Sequence, residues 1–343
     1  MNGVALDRIR SRLRFYAKHG PTYWAESRPG RGMPTSLLRR LKDILDGFHP
    51  NEADWYRQIR GNVRGVVTNF DRERHLHGVN GHYAYVLDNK ALFNELARQR
   101  GIPTPEVFAE YCSGSWHWRQ DGRAALHHHL NRTGRFIIKP TLGSKGRSIH
   151  MCRGREEIES YCGEDAIATT FVAQADYAQA IFPESLNTMR VLMMRDVDGG
   201  PFIAVATHRF GTKNSAPVDN FSAKGLVAKI DRETGQLDRA ITIEDANKVV
   251  FHDRHPETQA AIAGTILPRW DEVRSLVNTL GAAFPYLVYV GWDIAITTDG
   301  PVVIEGNAHP SLRFFQFYDC LLDDPQLRRA FSRHITDLAA KGA

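Results

Sequence analysis

In the first part of the chain, the hydrophobic residues recur with the spacing of a helix. Leucine or isoleucine occupies positions 6, 9 and 13, and again positions 37, 38, 41, 44 and 45, which predicts two amphipathic helices. The Gly- and Pro-rich run 27–34 between them predicts a loop, and a shorter helix is expected after Asn51. Residues 1–87 are therefore predicted to form a mainly helical segment.

The next predicted helix has clear boundaries. Asp88 is its expected N-cap, and Leu92 and Phe93 lie on its apolar face. Gly101 is expected to end the helix, and Pro103 prevents it from resuming.

Beyond this helix the pattern changes to short runs rich in β-branched and aromatic residues. Strands are predicted at 107–111, 135–139, 148–152, 167–173, 189–194, 202–209, 226–231, 287–296 and 302–305. Further helices are predicted at 155–162, 268–283 and 325–341. Because strands and helices do not alternate regularly, the pattern indicates an α+β architecture.

Composition limits the classes of protein that remain. The chain has 343 residues, 42% of them hydrophobic and 24% charged, which is typical of a globular protein and excludes disorder or a coiled-coil rod. No apolar run approaches the roughly 18 residues of a membrane-spanning helix. The 4 cysteines form no C-x-x-C pair, and no signal-peptide pattern is present. We therefore predict a cytoplasmic protein with free thiols.

The net charge of +5 is concentrated near the start of the chain, where residues 1–74 contain fifteen Lys or Arg against eight Asp or Glu. Such a segment suits a phosphorylated substrate, an anionic polymer, a membrane surface or nucleic acid. Nucleic acid is the least favoured of these, because the aromatic residues that interleave the basic ones in single-strand binders are missing.

Two strand predictions near the end of the chain define a hairpin. If its turn is centred on Asp299, then Asp293 lies directly opposite Glu305, and directly opposed side chains are about 5 Å apart at Cβ. Asn307 shares their face by the period of two. The opposite face is expected to carry Ile294, Ile296, Val302 and Ile304. Two carboxylates and an amide oxygen suit Mg²⁺, although acids that face solvent would give the same pattern.

A glycine-rich run lies between two earlier strands and contains Gly143, Ser144, Lys145 and Gly146. Its backbone N–H groups and its lysine could cover a polyphosphate, and Lys139 ends the preceding strand. An ordinary hairpin loop is the alternative. The run is not a Walker A element, because the following residues read as a strand rather than a helix.

The order of these features resembles the ATP-grasp superfamily of ATP-dependent ligases over roughly residues 88–325. The branch called sugar-transfer-associated ATP-grasp is the most similar, since its members carry a segment like Ser185–Arg190. The resemblance rests on Lys90, Lys139, the glycine run, the apolar linker 171–174, Asn187–Arg190, Asp293, Glu305 and Asn307.

The resemblance implies an ATP-grasp fold, in which two α+β lobes (residues 88–176 and 177–343) enclose ATP after the helical segment. The residues implied to contact ATP are Lys90, Lys139, Gly143, Ser144, Lys145, Gly146, Phe171, Val172, Gln174 and Glu184. One or two Mg²⁺ ions would bind Asp293, Glu305 and Asn307. Arg190 would stabilise the transferring phosphoryl group or an acyl phosphate, and Lys224 would belong to a loop near the phosphates. His309 is a further candidate reactive residue because of its position after the metal strand, not because of the resemblance.

This chain departs from the superfamily pattern in two places. Many members carry an acid where this linker has Gln174, and the ribose-binding acid could be either Asp176 or Glu184. The helical first segment replaces the usual Rossmann-like domain, so substrate recognition cannot be transferred from better-known members.

The implied activity is a carboxylate–amine ligase that forms an acyl phosphate and releases ADP and phosphate. Its substrates would be a small carboxylate and an amine, with a sugar acid, an amino acid or a small peptide as acceptor. The alternatives are an ATP-dependent phosphotransferase and a non-catalytic nucleotide- or nucleic-acid-binding protein.

Several further residues have two interpretations. The run His127–His129 is assigned to the surface rather than to a metal, and Trp116–Trp118 to a half-buried edge rather than to a ligand platform. His309 and Arg313 follow the proposed metal strand, where they could contact the acceptor substrate or simply lie at the surface.

Overall fold

The computed structural model of the chain describes residues 10, 13–18, 20, 36–143, 148–244 and 248–335. Within these ranges the protein is a mixed α+β structure with two antiparallel sheets, as the sequence predicts. The predicted loop 27–34 and positions 6 and 9 of the first predicted helix lie outside the described residues, whereas residues 13–18 are helical.

The described part of the first segment is mainly helical. Its longer elements are α1 (Leu37–Leu45), α2 (Pro50–Arg60) and α3 (Ala84–Asp88), with short helical turns at Asn69–Asp71, Arg72–Leu76 and Gly81–Tyr83. The side chain of Ser36 caps α1. Proline in the first turn of α2 and the left-handed Gly61 at its end define the limits of that helix.

The next helix, α4 (Lys90–Gln99), begins one residue later than predicted. Asn89, not Asp88, is its N-cap: Asn89 is extended, and its side chain accepts from the backbone N–H of Leu92 at 3.0 Å. Asp88 cannot serve because it is the last residue of α3. Gly101 adopts a φ of +67° just beyond the helix, which agrees with the predicted end.

The first sheet has the strand order β2-β1-β5-β3-β4. Its elements in chain order are β1 (Val107–Cys112), β2 (Ser115–Trp118), α5 (Gly122–Thr133), β3 (Phe136–Pro140), β4 (His150–Cys152), α6 (Glu156–Glu159) and β5 (Ala166–Thr170). Trp116 is half-buried on the edge strand β2, in agreement with the edge interpretation. The predicted strand 167–173 was too long, because the chain leaves the sheet after Thr170.

The second sheet has the order β10-β9-β8-β7-β6-β11-β12. Its elements are α7 (Asp176–Ile181), β6 (Met189–Arg195), β7 (Pro201–Phe210), β8 (Leu226–Ile230), β9 (Leu237–Glu244), β10 (Lys248–His252), α8 (Trp270–Ala283), β11 (Tyr289–Thr297), β12 (Gly300–Asn307) and α9 (Pro325–Ser332). Sequence analysis did not predict α5, α7, β2, β9 or β10. The predicted limit between the lobes, residue 176, falls at the start of α7.

Both faces of the second sheet are covered. Along β6, Val191 and Met193 belong to one core with α8, and Leu192 and Met194 belong to another with α9, as the alternation of side chains in a strand requires. Phe93 of α4 packs into the first of these cores. Helix α4, predicted to open the first lobe, therefore also packs against the second sheet.

The helical segment packs on the same sheet through a third cluster. In this cluster, Trp55 and Tyr56 of α2 meet Phe317 and the β8 residue Val227. The helical segment therefore packs against the same sheet whose other strands carry the proposed site. No helix among the described residues is long and apolar enough to cross a membrane.

Candidate active site

The hairpin of β11 and β12 places the two predicted metal ligands opposite each other. Asp293 pairs with Glu305, and Gly291 pairs with Asn307, so the three polar residues share one face as predicted. The Nδ2 of Asn307 donates to the carbonyl of Gly291 at 3.2 Å, and its Oδ1 is the atom left to bind a cation.

The predicted register is correct for the acids but wrong for the apolar face. The turn is tighter than assumed, since Thr297 pairs with Gly300, and the register shifts by one residue between Asp293 and Ile294. Ile294 therefore faces Val303, which is buried with it in the core. Val302 and Ile304, which were expected on that face, are only half-buried. The shift, a β-bulge, brings Glu305 back opposite Asp293.

Two arginines from neighbouring strands hold the buried carboxylate of Asp293. Arg190 donates through both Nε and Nη2, the latter to Oδ2 at 2.8 Å. The Nη2 of Arg209 lies 3.0 Å from the same oxygen. Arg209 in turn lies 3.4 Å from Asp219, whose Oδ2 accepts from the N–H and hydroxyl of Thr188 at 2.7 and 2.6 Å.

Sequence analysis missed Arg209 and Asp219. The signal for Arg209 is a basic residue at the end of the predicted strand 202–209. Arg209 reaches Asp293 only because β7 pairs with β6, and the sequence alone does not show that pairing.

The two opposed carboxylates have different electrostatic environments. Burial acts to raise the pKa of Asp293, but Arg190 and Arg209 outweigh it and hold that pKa below its ordinary value. Burial and the adjacent charge of Asp293 raise the pKa of Glu305, against opposing effects of Lys90 and Arg190. An added cation beside Glu305 would relieve this repulsion. The donor set therefore fits a divalent metal ion.

The two predicted phosphate-binding lysines lie within electrostatic reach of Glu305. Lys139 is the second-last residue of β3 and is 8% exposed. Burial, assisted by the charge of Lys90, lowers its pKa to about 8. Lys90 begins α4, and its Nζ donates to the carbonyl of Gly143 at 2.5 Å. The strand end and the helix start are joined by a bond from the N–H of Lys90 to the carbonyl of Thr141 at 2.9 Å.

The predicted glycine flap is described only at its first residue. Gly143 adopts a φ of +101°, a conformation that favours glycine. Ser144, Lys145 and Gly146 lie outside the described residues.

The linker between the sheets is fixed at both ends. At its start, the N–H of Phe171 donates to Nε2 of the buried His129 at 3.0 Å, and the guanidinium of Arg135 lies 3.9 Å from the Phe171 ring. At its end, Oε1 of Gln174 accepts from the backbone N–H and the Nδ2 of Asn187 at 2.9 and 3.0 Å.

These contacts determine which groups of residues 171–174 can still bind a ligand. The Nε2 of Gln174 donates to the carbonyl of Phe182 at 3.0 Å, so this side chain is committed to the protein. The half-buried Val172 and the backbone remain available to a nucleotide. Glu184 and Asp176, the two candidates for the ribose, are both exposed.

The last two predicted reactive residues lie on loops beside the second sheet. Lys224 is exposed, at a φ of +70°. His309 stacks on His77 with ring centroids 3.9 Å apart, and its buried Nδ1 has no hydrogen-bond partner among the described residues. In the described part of the chain, no hydrogen bond or ion pair joins His309 to the Asp293 cluster.

The histidine run divides between surface and interior. His127 and His128 are exposed as expected, but His129 is buried because it supports the linker. No group of three or more His, Cys, Asp or Glu side chains in the described ranges is arranged to hold a metal ion. Any metal at the hairpin would therefore rely on two carboxylates, an amide and non-protein ligands.

Part of the chain is similar to a known protein family. Residues 159–321 match the family model described as sugar-transfer associated ATP-grasp. This segment contains β6 to β12 and the carboxylate hairpin, and over these residues the resemblance drawn from the sequence is confirmed. A search of curated proteins found no match.

Solved structures with a similar fold include three synthetases or ligases. The chain is similar to N5-carboxyaminoimidazole ribonucleotide synthetase from Thermotoga maritima (14% identity, TM-score 0.39, covering 72% of this chain and 49% of that one). It is similar to the ATP-grasp ligase PsnB complexed with minimal precursor (16% identity, TM-score 0.39, 77% and 63%). It is also similar to D-alanine-D-alanine ligase from Coxiella burnetii (12% identity, TM-score 0.38, 74% and 60%). The chain spans less than two thirds of the length of each.

Proposed function

We propose that the protein is a Mg-ATP-dependent carboxylate–amine ligase that acts through an acyl phosphate and releases ADP and phosphate. In this proposal residues 88–176 and 177–343 form the two lobes that enclose ATP. The acceptor is a sugar acid, an amino acid or a small peptide.

The observation that carries the proposal is the single cluster of opposite charges between the two sheets. Asp293 and Glu305 from one hairpin lie among two lysines from the first lobe and two arginines from adjacent strands. With Asp219 counted, four cationic side chains face three carboxylates. A triphosphate with a divalent metal ion fits this excess of positive charge, because both lysines lack a carboxylate partner of their own at ion-pair distance in the described residues.

Within this arrangement each residue type has a physical role. Lys90 and Lys139 would hold the α- and β-phosphates, and residues 143–146 would cover the β- and γ-phosphates. The backbone of 171–174 and the side chain of Val172 would contact adenine, and Glu184 the ribose. Asp293, Glu305 and Asn307 would bind Mg²⁺, which supplies charge neutralisation at the transferring phosphoryl group.

The chemistry needs positioning more than a protein nucleophile. A carboxylate oxygen of the substrate attacks the γ-phosphorus, the bond to the bridging oxygen breaks, and ADP leaves. The amine then attacks the acyl carbon, phosphate leaves with the bonding electrons, and the nitrogen gives up a proton to phosphate or water as the amide forms. Arg190 would stabilise the transferring group, Lys224 would lie near the phosphates, and His309 would contact the acceptor substrate.

An ADP-release assay over paired carboxylic acids and amines tests this proposal. We expect ADP only when a suitable acid is present, with equal amounts of free phosphate and amide when the amine is added. Glu305→Gln should abolish release, whereas Glu272→Gln, at an exposed residue paired with Arg269, should not. A phosphorylated product that persists with amine would indicate a kinase. Partner binding that survives Asp293→Asn and Glu305→Gln without turnover would indicate a non-catalytic protein.

A further inference from the structure

Helix α1 carries its leucines on the side that faces solvent. Leu38 is 80% exposed, Leu45 60% and Leu41 39%, and their spacing of three and four residues places them in one stripe along the helix. Leu13, in the helical residues 13–18, is 64% exposed. Helices of globular proteins normally turn such a stripe toward the core, whereas clustered exposed leucines mark an interaction surface. We call these four leucines the leucine face.

Tyr16 holds the two helices together. Its hydroxyl donates to the carbonyl of Ile44 near the end of α1, and both side chains pack beside the buried Phe15. Leu13 lies one helical turn before Tyr16, and Leu45 directly follows Ile44. The exposed leucines of the two helices therefore belong to one surface.

The opposite side of α1 is charged, and ion pairs to α2 fix the orientation of the helix. The Nη2 of the buried Arg40 donates to Oδ2 of Asp54 at 3.3 Å. The Nη1 of Arg57 donates to Oδ2 of the buried Asp43 at 2.8 Å. Rotating α1 to bury the leucines would break both pairs, and a buried charge that loses its partner is strongly destabilising. The exposure of the leucine face is therefore a consequence of the fold.

The exposed charges around the leucine face are almost all positive. Arg39 and Lys42 each directly follow a leucine of the stripe, so they flank it along one side of α1. Among the described residues of 10–18 and 36–46, Asp46 is the one exposed acid. The exposed basic side chains of the same ranges are Arg10, Arg14, Lys18, Arg39 and Lys42. The surface thus combines an apolar stripe with a strong positive charge.

This combination favours a membrane surface over other occupants. A second copy of the chain would bring the same cations against each other. Residues 21–35, which lie outside the described residues, carry two arginines and one glutamate, so they supply no net negative charge to meet the face. Nucleic acid would attract the cations but has no need of leucines, since single strands stack their bases on aromatic side chains. An anionic lipid surface suits both features, because its headgroups attract cations and its acyl chains accept leucines.

We propose that α1 and the helical residues 13–18 dock on a membrane surface rich in anionic lipid. The leucine face enters the boundary between headgroups and acyl chains, while the surrounding cations contact the lipid phosphates. Helix α2 lies between α1 and the second sheet, because it meets α1 through Asp54 and Arg57 and the sheet through Trp55 and Tyr56. The membrane therefore lies beyond α1, on the side away from the second sheet. The inference concerns where the protein works and does not depend on which reaction it catalyses.

Co-sedimentation of the full chain with lipid vesicles tests the inference. We expect the chain to bind vesicles of equimolar phosphatidylglycerol and phosphatidylcholine, to leave phosphatidylcholine alone unbound, and to bind less as the salt concentration rises. The double variant Leu38→Gln/Leu45→Gln should lower the partition coefficient at least about tenfold, without loss of stability because both side chains are already exposed. Arg39→Gln/Lys42→Gln should lower it about fivefold for each charge removed.

Two exposed positions elsewhere provide matched controls. Ile266→Gln changes a residue that is 65% exposed but adjoins Leu267, whose core lies on the face of the second sheet opposite α2. Arg98→Gln removes an exposed charge from α4. Neither change should alter the partition coefficient.

Several results would overturn the inference. The chain could fail to bind the anionic vesicles, or bind phosphatidylcholine alone equally well. Vesicle binding that survives Leu38→Gln/Leu45→Gln would mean that the cations adsorb without the leucine face. Self-association in analytical ultracentrifugation that the same variant abolishes, without vesicle binding, would assign the face to a second copy. Preference for a single-stranded oligonucleotide over the vesicles would assign the cations to nucleic acid. None of these readouts uses ATP, so failure of the ligase proposal would leave the inference standing.

Discussion

Neutralising Asp293 should destabilise the protein far more than neutralising Glu305, which lies opposite it. Asp293 is 3% exposed and is the shared partner of Arg190 and Arg209. Asp293→Asn removes that charge and leaves two largely buried guanidiniums short of a counterion. Breaking a buried ion pair from one side costs about 3–5 kcal/mol. We expect about 3 kcal/mol here, because Glu305 and Asp219 remain nearby.

Glu305→Gln should change the stability less, because the negative charge that it removes is unfavourable in the folded protein. Burial and the charge of Asp293 both raise the pKa of Glu305. A neutral isostere relieves this repulsion, so the free energy of unfolding should stay within about 1 kcal/mol of the unmodified protein or rise. Both variants should lose nucleotide binding that depends on Mg²⁺.

Urea unfolding at pH 7, followed by tryptophan fluorescence without nucleotide, measures the difference between the two variants. Glu272→Gln is the control for loss of an acid at an exposed position. If Glu305→Gln destabilises the protein as much as Asp293→Asn does, the two acids carry equal structural roles. The electrostatic reasoning about the hairpin would then be refuted.

Three further predictions concern Lys139, Asn80 and Gly225. Burial lowers the pKa of Lys139 to about 8, so nucleotide affinity should fall above pH 8. The free energy of unfolding should rise toward pH 10, because in that range the unfolded chain binds one proton more than the folded chain. Titrations of Lys139→Arg should show neither trend. Asn80→Ala should cost about 3 kcal/mol in urea unfolding, because Asn80 bonds to Val288, Tyr289 and Ala308 where the two strands of the hairpin begin and end. Asn131→Ala at an exposed site should be neutral. Gly225→Ala would place a Cβ 2.9 Å from the carbonyl oxygen of Asp219 and 3.0 Å from that of Phe210, so a loss of about 1–3 kcal/mol is expected; an unchanged unfolding midpoint would contradict the crowding.

The sequence was sufficient for features that depend on local pattern. The alternation of β11 and β12 around one turn predicted that Asp293 pairs with Glu305, and the pairing is confirmed. The resemblance to sugar-transfer associated ATP-grasp proteins was likewise drawn from the sequence, and it is confirmed over residues 159–321. The ligand roles of these residues stay predictions.

Features that depend on tertiary pairing were not accessible from the sequence. The bulge that moves Val303, rather than Val302, into the core cannot be read from a period of two. Arg209 gains its role only because β7 pairs with β6. His129 was assigned to the surface because adjacent residues on a helix point in different directions, yet its burial follows from the contact of α5 with the start of the linker.

Titration calorimetry of ATP in the presence and absence of millimolar Mg²⁺ tests the central claim most directly. We expect the protein to bind one ATP with Mg²⁺ and to bind it more weakly without the metal. The Glu305→Gln variant should remain folded but lose the dependence of ATP binding on Mg²⁺. No uptake of ATP at millimolar Mg²⁺, or binding that is indifferent to both the metal and Glu305, would contradict the account.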